Sequence, residues 1–349
     1  MARVRIISLI ACCLLVLQCT VRQEGMPQPV EFYLDQDIIQ ATKSSLVLEP
    51  TAILPEGKQV DTLWIAAVAR DMKMDYHLTK GLPYSSATGF PTDKNLGVIA
   101  YTYDDEGASS SSWRLYTEEN NSRTASYISD TGRWIPSPDM YYPLGNGYMR
   151  FFAFGPKDAS VTRVSAGNGA GPTLSYTVPA DITNQHGLLI ATPDERSYPP
   201  HLEELSIPLN MKHILSGVRF AVSNTQKLVS AEVSGVYDQG EYDVLGGNWS
   251  NFSKSGVSPT YTISISDYAE DMVARNPVMD SPAPQYTLMM VPQHLPEDAQ
   301  ITVQLVGEDA PRVFDVAGQL WEKGKEVTYV ITGDWVVVQS FLVEATTWD

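Results

Sequence analysis

The side chains best able to do chemistry are few and widely spaced. Three cysteines, Cys12, Cys13 and Cys19, all lie within the first nineteen residues. The rest of the chain therefore offers no thiol nucleophile, no disulfide and no cysteine metal ligand. Five histidines, His77, His186, His201, His213 and His294, are scattered, and no pair has the H-E-x-x-H spacing that aims two imidazoles at one metal ion. A histidine inside an apolar strand is first of all a packed or hydrogen-bonded residue. No G-x-S-x-G elbow, P-loop or G-x-G-x-x-G opening a helix occurs, and Gly145-Asn146-Gly147 reads as a turn. Asp104-Asp105-Glu106 could present carboxylates to calcium, but without the spaced ligands of a defined loop it reads as a solvated tip. Carboxylate pairs that cleave glycosidic bonds are set by three-dimensional separation, so sequence alone selects none. These residues point to no catalytic group, cofactor or metal.

Cys19 is the exception, because its neighbours suggest a modification. Met1-Ala2-Arg3-Val4-Arg5 is a short basic region, and Ile6 to Leu17 is apolar apart from Ser8. That is the size of a secretory apolar region and short for a membrane span. Val16-Leu17-Gln18-Cys19 resembles a lipoprotein signal, in which residues 1–18 are removed and Cys19 is acylated, although Gln18 stands where a small residue is usual. The alternative is an ordinary export signal in which Cys19 is incidental. Residues 19–29, with Pro27 and Pro29, suit a flexible tether between a lipid and the first fold.

The elements that would have to position any site are strands. With 349 residues and 43% hydrophobic content, the chain can bury two cores of ordinary size. Charged residues make up only 19%, and tyrosine (18) is twice as frequent as phenylalanine (9), which suits half-buried sheets with wet outer faces. A formal charge of −17 without any Lys/Arg cluster argues against nucleic acid as a partner. It also means that self-assembly needs specific contacts, since like-charged copies repel.

Strand-like runs recur along the chain. Val30 to Asp35 reads as the first strand, Val60 to Ala69 as a central one and Gly97 to Tyr103 as a third. The serines Ser109 to Ser112 read as a loop tip. Gly147 to Pro156 is an aromatic strand, expected to pack across a sandwich and to stop at Pro156 at the sheet's edge. Gly187 to Ala191 and Val218 to Val222 flank a joint, Thr192 to Pro200, with three prolines, two acids and an arginine, which reads as a surface connection. Val229 to Val236, Tyr261 to Ser266, Tyr286 to Val291, Ile301 to Val306 and Val327 to Ile331 continue the pattern. The one stretch with a helical period runs from about Ser266 to Ala274. Strands at this spacing, broken by Gly, Pro and Asn, predict β-sandwiches.

Several of these runs carry a family resemblance. Gln185-His186-Gly187-Leu188-Leu189-Ile190-Ala191, followed by Leu209 to Ser216 with His213-Ile214-Leu215-Ser216, resembles the middle of the Bacteroidetes fimbrillin family. Gly187 and Met211 depart from its usual Asp and Phe. Trp134-Ile135-Pro136 and then Phe151-Phe152-Ala153-Phe154-Gly155-Pro156 resemble its first domain. Gly240-Glu241-Tyr242, Val291-Pro292-Gln293 and Trp321-Glu322-Lys323-Gly324-Lys325 up to Tyr329 resemble its second, so the likeness covers nearly the whole chain after the leader.

The resemblance implies an all-β fold of two tandem transthyretin-like Greek-key β-sandwich domains, residues 30–195 and 196–349, after the lipoprotein signal. It implies a fimbrial subunit, anchor or tip protein, lipid-anchored in the outer membrane and partnered by the same or related subunits. In polymerising relatives a surface protease cuts after a basic residue and frees the first strand; Lys43 is the matching position, the alternative being one more exposed lysine. The donor strand would be 335–348, with Val336, Val338, Phe341 and Val343 as apolar anchors, unless this tail is simply the last strand of its own sheet. A second reading is a surface lipoprotein that binds carbohydrate or another host or bacterial ligand, with Trp113, Tyr116, Tyr141 or Tyr142 as a stacking platform.

Overall fold

The computed structural model describes residues 29–34, 58–60, 63–71, 78–79, 82–83, 93–142, 147–157, 161–198, 206–222, 228–256, 260–264 and 287–332. In chain order the first strands are β1 (Glu31–Leu34), β2 (Lys58–Val60), β3 (Leu63–Asp71), β4 (Leu78–Thr79), β5 (Leu82–Pro83), β6 (Leu96–Tyr103) and β7 (Arg114–Leu115). They are followed by β8 (Arg123–Ile128), β9 (Arg133–Ser137), β10 (Gly147–Gly155), β11 (Val161–Gly167), β12 (Ala170–Thr177), β13 (Leu189–Ala191) and β14 (Arg196–Tyr198). Next come β15 (Ser206–Leu209), β16 (Lys212–His213), β17 (Ser216–Val222), β18 (Leu228–Ser234), β19 (Gln239–Asp243), β20 (Asn248–Ser253) and β21 (Tyr261–Ser264). The last are β22 (Leu288–Met290), β23 (Gln293–His294), β24 (Gln300–Leu305), β25 (Arg312–Asp315), β26 (Leu320–Trp321) and β27 (Lys325–Thr332). Two short 3-10 turns, Ser110–Ser112 and Ile182–Asn184, are the sole helical pieces among the described residues. The fold is all-β.

The largest sheet runs β15-β1-β9-β8-β6-β10-β13-β16, with β7 added to β6 and β14 to β10. Its two ends are neighbours in sequence. Only Asn210 and Met211 separate β15 from β16, so the ends must meet and the sheet curls over on itself. The curl encloses a core of Val30, Phe32, Leu96, Val98, Ala100, Trp134, Phe151, Ala153, Ile207 and Leu209, among others.

Strands β6 and β10 explain why two runs in the sequence are almost continuously apolar. In a strand, alternate side chains face opposite sides. Leu96, Val98 and Ala100 of β6, with Met149, Phe151 and Ala153 of β10, fill the curled core. Ile99, Tyr101, Tyr103, Phe152 and Phe154 face the other way, into a second core with Trp113, Leu174 and Tyr176. Both faces are buried, so neither strand can alternate with polar residues. The expectation that the aromatic strand ends at a sheet edge needs correction, since β10 lies between β6 and β13. Pro156 ends it because proline has no N–H to give a ladder.

The second core runs without interruption into the remaining sheets. Sheet β11-β12-β19-β20 joins hairpins from both halves of the chain, with Thr173↔Asp243 through Thr177↔Gln239 in antiparallel register. Sheets β21-β18-β24-β25 and β2-β3-β27-β17-β22 follow, and Val218, Val233, Tyr261, Met290, Val303, Trp321 and Tyr329 belong to the same cluster as Tyr101 and Phe154. Strands before and after residue 195 thus share hydrogen-bonded sheets. Within the polar joint a strand forms that its composition does not predict: Arg196 to Tyr198 are β14, in register with Met149 to Gly147 of β10. A polar strand on a sheet rim satisfies its backbone through the ladder, so it needs no apolar side chains to stay in place. The expected helical stretch at 266–274 lies outside the described residues.

Candidate functional site

The first of the described strands occupies an interior place in its sheet. An N-terminal strand added last to a fold would be expected at an edge; β1 instead sits inside the curled sheet, between β15 and β9. Its alternation is that of a half-buried strand: Val30 and Phe32 are fully buried, while Glu31 and Tyr33 are half-buried. Toward β15 it is parallel, with Glu31↔Ser206, Phe32↔Ile207, Tyr33↔Pro208 and Leu34↔Leu209 in register. Toward β9 it is antiparallel, and one pair, Phe32↔Trp134, carries the register. Before the strand, the Val30 N–H donates to the Met140 carbonyl at 2.8 Å, and Pro29 bridges Tyr141.

Phe32 is the anchor of this seat. Its ring meets Phe151 edge-on, 5.7 Å between centroids, and Tyr142 meets Phe151 in the same fashion at 6.3 Å. Edge-to-face pairs set the positive ring rim against the negative face, adding to the gain from area burial. Trp134, Met140, Ile207 and Leu209 complete the lining. On the outside, the Arg133 guanidinium lies 4.9 Å from the Tyr33 ring, a cation–π contact that tethers the half-buried face. The seat is thus an apolar slot that buries Val30 and Phe32, two residues apart, between the backbones of β15 and β9. It holds β1 by main-chain ladders on both sides and by its alternate side chains.

The aromatic platform divides. Trp113 and Tyr142 are buried, which removes them as ligand-stacking surfaces. Trp113 is tilted against Tyr101 and stacked on Tyr103, and its indole N–H donates to the Ala108 carbonyl at 2.9 Å. Tyr116 is half-buried, its hydroxyl donating to the Tyr141 carbonyl at 2.8 Å, and of the four rings Tyr141 alone is exposed. The Tyr141 hydroxyl donates to Asp139 at 3.0 Å, and that carboxylate raises its pKa above the ordinary phenol value. The acidic tip is solvated as expected, Asp104, Asp105 and Glu106 being exposed. Asp104 pairs with Arg114, which lowers its pKa. The tip is also tied to the joint: Glu195 accepts from the Gly107 N–H at 3.0 Å and from the Tyr103 hydroxyl at 2.5 Å. Burial, and then Glu195, push the Tyr103 pKa upward.

Cys19, Lys43, Val336, Val338, Phe341 and Val343 all lie outside the described residues. The structure does bring the predicted first strand together with two segments that its sequence does not connect to it. One is β15, in which Ile207 and Leu209 alternate with polar or proline positions; the alternation is readable in the sequence, the parallel partner is not. The other is the Trp134 strand, notable for its Trp-x-Pro motif and now seen to face Phe32.

No curated protein matches the chain. Among solved structures, a fimbrial protein from Bacteroides vulgatus aligns at 11% identity and TM-score 0.45, covering 68% of this chain and 87% of its own. A protein from Bacteroides uniformis assigned to cell adhesion aligns at 13% identity and TM-score 0.46, covering 73% of this chain and 91% of its own. The fimbrial anchor protein Mfa2 from Porphyromonas gingivalis aligns at 10% identity and TM-score 0.32, covering 69% of this chain and 80% of its own. The fimbrillin-like family itself matches residues 85–348, most of the sequence, and the chain therefore belongs to the fimbrillin-like family.

Proposed function

We propose that the chain is a structural component of a cell-surface fimbria, non-enzymatic, that joins its neighbours by β-strand addition at the slot held by β1. The observation that carries this reading is the position of β1: the first of the described strands, yet an interior strand of its sheet, paired on both sides. Its loss would leave the backbone of β15 and β9 unpaired and the apolar lining around Phe151 open, a surface that only another extended segment can refill. Cleavage after Lys43 would detach β1 from the remainder of the chain. The tail 335–348, offering Val336, Val338, Phe341 and Val343, would supply the refilling strand of a neighbouring subunit of the same or related type, and acylated Cys19 would hold an uncut chain in the outer membrane.

The test is limited digestion of the protein spanning Thr20 to Asp349 with a trypsin-like protease, reading intact mass and native oligomer size together. The expected result is a cut after Lys43 followed by a concentration-dependent ladder, abolished by deleting Trp335 to Asp349. A chain that resists that cut, or is cut and stays monomeric, would rule out assembly through this slot.

A further inference from the structure

The chain makes an excursion that the slot does not explain. Strand β1 belongs to the curled sheet and so does β6, but β2 and β3 between them belong to the sheet of β27, β17 and β22. There β3 runs antiparallel to β27 through an unbroken register from Asp71↔Lys325 to Trp64↔Thr332, and β2 hairpins onto its far side. The other side of β27 is taken by β17, parallel, from Gly217↔Glu326 to Val222↔Ile331. Without β3, therefore, β27 would be a long edge strand with a full row of unpaired N–H and C=O groups. Such an edge is a template for pairing with another chain. The residues it would expose begin in the buried interior, since Val327 and Tyr329 face the core.

The strand that covers this edge lies before the matched residues, as β1 does. The match to the fimbrillin-like family starts at residue 85, so β17, β22 and β27 lie within it and β2 and β3 lie before it. The covering strand also has long connections on either side. Residues 35–57 separate β1 from β2, and residues 72–95, which include the short β4–β5 pair, separate β3 from β6. At about 3.3–3.6 Å per extended residue, either connector can reach tens of ångströms. Loop-closure entropy grows slowly with length, so long connectors add little cost to pairing at home. They equally leave the hairpin able to reach a neighbour.

We infer that the β27 edge is a second strand-acceptor site, distinct from the β1 slot, whose fitting partner is the segment Leu63–Asp71 of a second copy of this chain. The sequence Leu63-Trp64-Ile65-Ala66-Ala67-Val68-Ala69 is apolar and uncharged until Arg70-Asp71, as a strand that pairs without electrostatic repulsion must be in so acidic a protein. At low concentration the tethered copy wins through its effective concentration; as copies crowd, the same ladder forms between chains by exchange of an identical element. No bond is made or broken beyond the hydrogen bonds of the ladder.

The test uses the exported chain carrying Cys19→Ser, which leaves no cysteine after the leader. Val68→Cys is placed in one variant and Thr328→Cys in another, at positions that are register partners. A third variant carrying both should close an intrachain disulfide when dilute, because opposed strand positions meet the geometric need of the bond. The two single variants are mixed without protease, concentrated under reduction and then oxidised. The expected product is a covalent dimer joining position 68 of one chain to position 328 of the other, rising with concentration and lost when Ala67→Cys, a position that a strand aims at the opposite face, replaces Val68→Cys. Closure within the double variant without any mixed dimer would overturn exchange, and failure of the double variant to close would overturn the pairing itself. Because no cut after Lys43 is involved, a negative result here leaves the protease ladder to stand or fall separately.

Discussion

The ring of Phe154 covers Gly97, its register partner on β6, so closely that a Cβ at position 97 would run into the ring's far carbons. The glycine serves close approach rather than a left-handed turn. Gly97→Val should therefore force Phe154 off its rotamer and cost about 1–3 kcal/mol or more. Phe154→Ala alone should cost about 3–5 kcal/mol by opening a cavity. In the double variant the valine partly fills that cavity, so the two losses, read from urea midpoints, should sum to more than the double variant's loss. Simple additivity would mean the ring does not rest on the glycine.

Phe32 fills the β1 slot with no exposed surface. Truncation to alanine should remove about 3–5 kcal/mol of stability and raise hydrogen exchange at the Val30 N–H, which is bonded to Met140. Glu31→Ala, on the half-buried face, should change stability by less than about 0.5 kcal/mol. Equal effects at the two positions would show that β1 is not seated by its inward side chains.

Gln185 is buried, its side-chain N–H donating to the Pro179 carbonyl at 2.9 Å and its oxygen accepting from the Met289 N–H at 2.8 Å. It links the turn before β13 to the start of β22. Gln185→Leu keeps the volume and strands the Met289 N–H, a loss of about 1–3 kcal/mol. Gln185→Glu should retain the acceptor and recover part of that loss at low pH, where the carboxyl is neutral. Chemical denaturation of the three proteins at two pH values decides the point.

Several buried tyrosines fix the alkaline limit of the fold. Burial pushes Tyr101 and Tyr242 up to about 12, and Tyr261 and Tyr329 higher still. An unfolded tyrosine ionises near about pH 10, so above that value the unfolded chain gives up protons that the folded chain keeps. Stability from these groups is complete below about pH 10 and should fall steadily toward about pH 12. Phenolate absorbance should rise together with loss of tertiary signal. Ionisation of these rings while the fold stays intact would show that water reaches them in the folded chain.

The strand inventory was legible from period and punctuation because strand formation is local: β6, β10, β13, β18, β21 and β24 all coincide to within a residue or two with runs marked by alternation, Gly or Pro. The family was legible from the same local runs, since Trp134, the Phe151 to Pro156 run and Gln185 all lie inside the residues matched to it. The aromatic platform was half legible. Ring type said that Trp113 and Tyr142 would bury area, but which rings met a partner depended on the sheet behind them.

By itself, then, the sequence determined the all-β class and the first strand with its alternating pattern. Which strands pair was decided only by the tertiary structure. Nothing near residue 31 announces Ser206 as a parallel partner, and nothing near Leu63 announces that β3 completes the sheet of β27. Backbone hydrogen bonds are nearly blind to side-chain identity, so an apolar strand can sit beside many others. The choice is made by the cores that form together: the curl closed through Asn210 and Met211, and the shared cluster that runs from Tyr101 to Tyr329.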